Sequence, residues 1–188
     1  MNKKEFLTSY LNDFSDLVKS NEKIIDQLGK VADLIKVINA KGNKVLIFGN
    51  GGSAAISSHV SVDLTKNAGV RCVNCNEADL ITCFSNDYGY ERWVEKAVDF
   101  YGDEGDLLIV ISSSGSSKNM LNGVKAARNG NFNAVVTFTG FADENPLRQL
   151  GDINLWADSK AYNFIENIHQ VWLLAIVDLI IGSREYSA

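Results

Sequence analysis

The chain has 188 residues, of which 46% are hydrophobic, and its formal net charge is −5. A chain of this length and apolar content is expected to fold as one domain with a substantial core. The negative net charge, with no basic run in the sequence, argues against nucleic acid or an anionic membrane surface as a direct partner.

The sequence has no features of an exported, membrane-spanning or disulfide-linked protein. Its N-terminal segment is polar and lacks the apolar stretch of a signal peptide, and the apolar run near the C-terminus is interrupted by Asp178 and too short to span a bilayer. Cys72, Cys75 and Cys83 are odd in number and have no second pair to complete a metal site, which favours ordinary thiols over a metal or redox role. We therefore expect a cytoplasmic protein.

The spacing of apolar residues predicts two helices followed by alternating strands and helices. Over the first forty residues apolar side chains recur at intervals of three and four, and Gly42 and Asn43 are expected to end the second helix. Strands are predicted at 45–48, 71–74, 107–111, 134–138 and 153–156. Helices are predicted from about residue 53 and at 78–85, 91–100, 118–128 and 162–181. This alternation indicates an α/β domain with a parallel sheet.

The most informative segment follows the third predicted strand. Five apolar residues, 107–111, run into Ser112, Ser113, Ser114, Gly115, Ser116 and Ser117, here called the serine loop, and a helix follows. Free backbone N–H groups, hydroxyls and the helix dipole at such a junction bind anions, most often phosphate. The alternative is a polar loop whose serines cap the helix, but a cap needs only one serine.

A second loop of the same kind follows the first strand. It consists of Gly49, Asn50, Gly51, Gly52 and Ser53, here called the glycine loop. A dinucleotide site is not favoured, because position 54 is alanine where the third glycine of G-x-G-x-x-G would stand, and no acidic residue ends a second strand at the usual distance. Two anion-binding loops beside one crevice suit a small phosphorylated molecule.

Four segments, "FGNGGSAAISSH", "SNDYGY", "GDLLIVISSSGSSKN" and "FIENIH", resemble the sugar isomerase (SIS) domain family, specifically its phosphoheptose isomerase group. The resemblance covers nearly the whole chain. It implies a three-layer, doubly wound, five-stranded parallel sheet with an N-terminal helical hairpin. It also implies a single domain over 1–188, in which 1–42 serve oligomerisation and 43–188 form the sugar-phosphate-binding core.

The resemblance further implies a homotetramer that converts sedoheptulose 7-phosphate to a heptose 7-phosphate for surface polysaccharide, including lipopolysaccharide. By the same resemblance, hydroxyls of the serine loop hold the sugar phosphate, Asn50 and Ser53 line the sugar, and Asp87 contacts substrate hydroxyls unless it is only a loop cap. The phosphate ligands are Ser112, Ser113, Ser114 and Ser117.

The catalytic positions differ from those of the family. Its isomerases carry His-x-x-x-Glu on the helix after the glycine loop, and Gln followed eight positions later by His on the final helix. Here the first pair is His59 and Asp63, Glu166 stands in place of Gln, and Leu174 stands in place of the second His. Because moving a carbonyl between C1 and C2 needs a base and an acid, Leu174 removes one expected participant.

Three interpretations of these residues remain open at this point. Glu166 is the base, its pKa raised by desolvation, with Asp63 and His59 assisting. Alternatively, His59, Asp63 and Glu166 converge around a divalent metal such as zinc. In the third interpretation, Glu166 pairs across a subunit interface and His59 is a core histidine. His169 matches a family histidine to which we assign no catalytic role.

Two functions therefore compete. The first is an aldose–ketose isomerase, which is an intramolecular oxidoreductase, acting on a sugar phosphate. The second is a non-catalytic protein that binds a sugar phosphate or acts as an adaptor, as a relative that binds the bacterial replication initiator does. The serine loop, Asp63 and Glu166 favour the enzyme, whereas Leu174 favours the adaptor.

Overall fold

The structure is a computed structural model that describes residues 2–19 and 22–186. The α-helices in this part of the chain are α1 (Lys3–Val18), α2 (Glu22–Ala40), α3 (Gly52–Lys66), α4 (Ala78–Tyr88), α5 (Trp93–Tyr101), α6 (Lys118–Asn129) and α7 (Tyr162–Ile181), and a 3₁₀ turn spans Tyr90–Arg92. The strands are β1 (Val45–Gly49), β2 (Cys72–Val73), β3 (Leu107–Ser112), β4 (Ala134–Thr139) and β5 (Ile153–Trp156). The predicted N-terminal helical segment includes residues 1, 20 and 21, which lie outside the described residues.

The five strands form one parallel sheet in the order β2-β1-β3-β4-β5. From β1 the chain moves outward to β2, and then returns across β1 to place β3 on its other side. The strand order therefore switches between β1 and β3, and their carboxyl ends diverge into the glycine loop and the serine loop. Ligands of doubly wound sheets bind at such a switch point.

Helices cover both faces of the sheet, which confirms the predicted three-layer α/β architecture. Val45 and Ile47 of β1 point to the face packed by α2, α3 and α7, whereas Leu46 and Phe48 point to the face packed by α5 and α6. Because side chains alternate along a strand, a sheet covered on both faces has continuously apolar strands. Each residue of β1, β3 and β4 is accordingly buried.

Strand β2 is shorter than predicted, at two residues instead of four. The chain leaves the sheet after Val73, because Asn74 turns its amide to the hydroxyl of Ser61, with an Nδ2–Oγ distance of 2.7 Å. Cys75 follows with a φ of 50°, in the left-handed region that ends an extended strand. The predicted helix at 91–100 begins instead as the 3₁₀ turn, and α5 starts at Trp93.

Helix α1 lies largely outside the core. It starts with a capping box, in which the Asn2 side chain accepts a hydrogen bond from the Glu5 amide and the Glu5 carboxylate accepts one from the Asn2 amide. None of its residues is buried, although Tyr10 and Phe14 contact the ring of Phe164 on α7, at centroid distances of 4.6 and 5.6 Å. The hairpin of α1 and α2 is therefore held mainly through α2.

Helix α7 is long and apolar enough to cross a membrane by length and hydropathy alone. In the structure it packs against the sheet, and Ile165, Ile168 and Leu173 on its inner face are buried in the core. The apolar character of α7 is thus explained by its position in the middle of one helical layer.

Candidate functional site

A cavity of about 110 Å³ lies at the switch point, between the glycine loop and the serine loop. Its lining comes from both loops and from the first turns of α7. The lining residues are Asn50, Ser53, Ile111, Ser112, Ser113, Ser114, Ser117, Tyr162 and Glu166. Seven of these, all except Ile111 and Tyr162, are residues that the sequence analysis predicts for the site.

Four of the five serines of the serine loop line this cavity. Ser112 lies 3.4 Å from Ser117, measured between their Oγ atoms, and Ser117 precedes α6 without forming a side-chain cap. The capping alternative therefore does not account for Ser117. Gly115 has a φ of 63°, and a Cβ atom there would collide with the side chain of Asn145, so the turn requires glycine.

A pair of asparagines ties the two loops together. The Asn50 Oδ1 atom accepts hydrogen bonds from Asn119 Nδ2, at 2.8 Å, and from the Tyr90 hydroxyl, at 3.0 Å, and Asn50 Nδ2 donates to Asn119 Oδ1 at 3.1 Å. Asn119 lies in the first turn of α6 and is buried. Asn119 and Tyr90 were not predicted as site residues, although they end the motifs "GDLLIVISSSGSSKN" and "SNDYGY".

Glu166 lies against the beginning of α3. Gly52 is the first residue of that helix, and a Cβ atom on it would collide with the Glu166 carboxylate. The absence of a side chain at position 52 is thus what lets the carboxylate approach. A helix N-terminus favours negative charge, so this half-buried carboxylate lies in a suitable place.

His59 and Asp63 form a separate pair further along α3. The His59 Nε2 atom lies 3.2 Å from Asp63 Oδ2, and His59 Nδ1 lies 3.0 Å from the Gln170 amide nitrogen on α7. The His59 side chain is 48% exposed, so the interpretation of His59 as a core histidine is wrong. Neither His59 nor Asp63 lines the cavity.

The described residues do not form a metal site. Among them no group of three or more His, Cys, Asp or Glu side chains is placed to hold an ion, so His59, Asp63 and Glu166 do not converge as the zinc hypothesis requires. Leu174, two turns beyond Glu166 on α7, packs against the core and offers no ligand atom. The described part of the single chain therefore supplies no complete ligand set, and zinc stays a prediction.

Asp87 lies away from the cavity lining in the single chain. It is exposed on α4, and its carboxylate accepts a hydrogen bond from the side-chain amide of Asn86 at 2.9 Å. Its contact with substrate hydroxyls stays a prediction.

Two further side chains considered in the sequence analysis, His169 and Cys75, are buried. The His169 Nε2 atom donates to the carbonyl oxygen of Thr139, at 3.0 Å, and burial lowers the pKa of His169 to about 4. Burial, with Glu77 nearby, raises the pKa of the Cys75 thiol to about 12, so no reactive thiolate forms there.

The comparisons with known proteins agree with this geometry. The family profile described as "SIS domain" matches residues 9–140. The phosphoheptose isomerase of Aliarcobacter butzleri is 31% identical over 183 residues, which cover 94% of each chain, and that of Fusobacterium nucleatum is 32% identical over 92% of this chain and 91% of its own. The structure of a phosphoheptose isomerase from Francisella tularensis superposes with a TM-score of 0.90, at 25% identity, over 97% of this chain and all of that one.

Proposed function

Because the chain belongs to the SIS domain family, we propose that it is an aldose–ketose isomerase that converts sedoheptulose 7-phosphate to a heptose 7-phosphate. The observation that carries the proposal is the cavity at the switch point, where serine hydroxyls and the Glu166 carboxylate share one lining. Relatives named phosphoheptose isomerase that match over more than nine-tenths of the chain support the same substrate.

The cavity is suited to the phosphate end of the substrate. Its volume of about 110 Å³ corresponds to roughly four water molecules, which is too small for a whole seven-carbon sugar phosphate. The helices that follow the two loops, α3 and α6, begin at the crevice, and their N-termini offset the negative charge that phosphate and Glu166 bring together. The sugar chain then extends out of the cavity.

The candidate catalytic groups stand at different positions along α3. The Glu166 side chain, which comes from α7, lies against Gly52, the first residue of α3. His59 is seven residues beyond Gly52, about 10 Å along α3 at 1.5 Å per residue. We assign Glu166 the role of the base that moves the proton between C1 and C2, with the phosphate held on the serine side of the same cavity. The His59–Asp63 pair assists from its position further along α3.

The proposed assembly is a cytoplasmic homotetramer with sites at subunit boundaries. His59 is half exposed, so the His59–Asp63 pair is open to solvent in the single chain. Phe6, Leu7 and Leu11 of α1 are 50–65% exposed, which leaves apolar surface for a second copy to cover.

The test is a coupled assay with sedoheptulose 7-phosphate, run with and without a chelator. We expect turnover in both arms, together with deuterium incorporation at C1 or C2 in deuterated buffer. Loss of turnover with the chelator, restored by zinc, would reinstate a metal-dependent reaction. Binding of the sugar phosphate without any proton exchange would reject the isomerase in favour of the non-catalytic alternative, which the replacement of the second histidine by Leu174 favours.

A further inference from the structure

Four polar side chains lie in a row between α3 and α7. The Asn67 side-chain amide donates to Asp63 Oδ1 at 3.2 Å, and Asp63 Oδ2 lies at ion-pair distance, 3.2 Å, from His59 Nε2. His59 Nδ1 in turn lies 3.0 Å from Gln170 Nε2. Both nitrogens of the imidazole and both oxygens of the carboxylate therefore have a polar neighbour within 3.2 Å.

The chemistry of these groups fixes where the imidazole proton lies. The Gln170 NH₂ group faces Nδ1 and only donates hydrogen bonds, so Nδ1 accepts. A neutral imidazole carries one proton, which then lies on Nε2. That proton is on the side of the ring that faces the Asp63 carboxylate.

Gln170 lies on α7 between Glu166 and Leu174, the two positions of this helix at which the chain departs from the family. Glu166, Gln170 and Leu174 follow each other at intervals of one turn on α7. Leu174, which replaces the family's second histidine, packs against the hydrophobic core. The hydrogen bond from α7 to His59 comes from Gln170 instead.

We propose that Gln170 is a positioning residue that holds His59 as the neutral tautomer protonated at Nε2 and thereby fixes the orientation of the Asp63 carboxylate. In this arrangement neither imidazole nitrogen is free to accept a substrate proton, so proton transfer falls to a carboxylate. The effect on turnover rests on the proposed function, whereas the tautomer does not.

The tautomer is read directly by nuclear magnetic resonance. The chain contains only two histidines, His59 and His169, so the long-range ¹H–¹⁵N spectrum of protein labelled at histidine holds two imidazoles, and His59→Gln assigns them. At about pH 8.5, where an ordinary imidazole is neutral, we expect His59 as a single tautomer with its proton on Nε2.

Two variants of Gln170 separate its hydrogen bond from its bulk. Gln170→Met keeps the length of the side chain but removes the donor, and we expect the two tautomers of His59 to mix. Gln170→Glu keeps the shape but presents only acceptors, and we expect the proton of His59 to be no longer confined to Nε2. Asn167→Met is the control, since the Asn167 side chain bonds within α7 to the carbonyl oxygen of Asn163.

The activity arm uses the same variants in the isomerase assay. We expect Gln170→Met to lower kcat on the order of 10- to 100-fold, the scale of a misplaced catalytic group, with KM nearly unchanged. A wild-type spectrum that shows Nδ1 protonated, or one that Gln170→Met leaves unaltered, overturns the positioning role whether or not the protein isomerises sugars. A wild-type protein with the expected spectrum but no turnover overturns the proposed function and leaves the tautomer assignment standing.

Discussion

Glu166 is the residue at which this chain differs most informatively from its family, because a carboxylate stands where an amide is usual. Glu166→Gln keeps the shape and hydrogen bonding while removing the proton acceptor. We expect it to lower turnover of sedoheptulose 7-phosphate roughly 100-fold or more, the scale of a lost general base, with little change in phosphate affinity. Glu144→Gln, at an exposed loop position outside the cavity, is the control. A variant that loses affinity but keeps kcat would make Glu166 a binding residue and leave Asp63 as the base.

Gly52 provides an independent test of the same carboxylate. Gly52→Ala introduces a methyl group where Glu166 now lies, and Gly52 is not among the glycines with positive φ, so the backbone itself tolerates alanine. We expect the variant to displace the carboxylate and to lower turnover as Glu166→Gln does. The double variant should have a kcat only slightly lower than that of either single variant, because both changes act on one group. Additive losses in kcat would show that Gly52 acts by another route.

The phosphate ligands are tested by removing two hydroxyls. Ser113→Ala with Ser114→Ala should weaken binding of the sugar phosphate, each lost hydrogen bond to a charged group being worth roughly 1.5–3 kcal/mol. Ser116→Ala is the matched control, since its hydroxyl donates to the Ser114 carbonyl oxygen and does not line the cavity. Titration calorimetry measures the affinities, and an unchanged double variant would place the phosphate elsewhere.

The sequence predicts the residues of each loop but not the contacts between loops. Ser53, Ser117 and Glu166 reach the cavity because each begins a helix or lies near its start, which local patterns reveal. Asn119 was overlooked because its partner, Asn50, is 69 residues away and only the packed sheet brings them together. The Gln170–His59 contact was missed for the same reason, since it depends on how α3 and α7 pack.

At the scale of elements, His169 links α7 to the end of β4 and should make stability depend on pH. The pKa of this buried imidazole is about 4 in the folded chain, against about 6.5 when unfolded. Below pH 6.5 the unfolded chain therefore binds a proton that the folded chain does not, so this stabilisation is present above about pH 6.5 and is lost as the pH falls toward 4.

The expected size of this effect is measurable by urea unfolding at two pH values. Between pH 7 and pH 5 the wild-type chain should lose about 2 kcal/mol more free energy of unfolding than His169→Gln, which retains a donor for the Thr139 carbonyl oxygen. His59→Gln removes the exposed histidine instead and serves as the control. Equal losses in the wild-type chain and His169→Gln would mean that His169 is protonated in the folded protein.

The types of the elements were predictable, and their ends less so. Continuous apolar runs predict the buried strands β1, β3 and β4 to within one residue, and the helical period of α7 predicts its range. The half-buried edge strand β5 also matches its predicted range. The edge strand β2 ends early because Asn74 bonds to α3, a tertiary contact that no local pattern contains. The start of α5 shifted because Tyr90 is held by Asn50 in the glycine loop.

At the scale of the whole molecule, α1 is an element that the single chain leaves without a buried residue. Leu7→Glu with Leu11→Glu places two charges on a helix whose residues at these positions are more than half exposed. If this surface is covered by a second copy, we expect the tetramer to dissociate while the fold survives, because neither side chain belongs to the core. Light scattering at micromolar concentration measures the mass, with Leu150→Glu, at a position 37% exposed outside α1, as the control. A wild-type protein that is monomeric contradicts the assembly.

The amide pair between Asn50 and Asn119 has a consequence for the thermodynamics of recognition. It holds the glycine loop against the first turn of α6, which follows the serine loop, before any ligand arrives. The entropy of ordering this contact is therefore lost during folding and not during binding. Because the binding-competent conformation of the crevice is already the dominant one, the apparent affinity is not reduced by a small population of that conformation. The sugar phosphate should then bind in one kinetic step, its association rate rising linearly with concentration, as a rigid receptor requires.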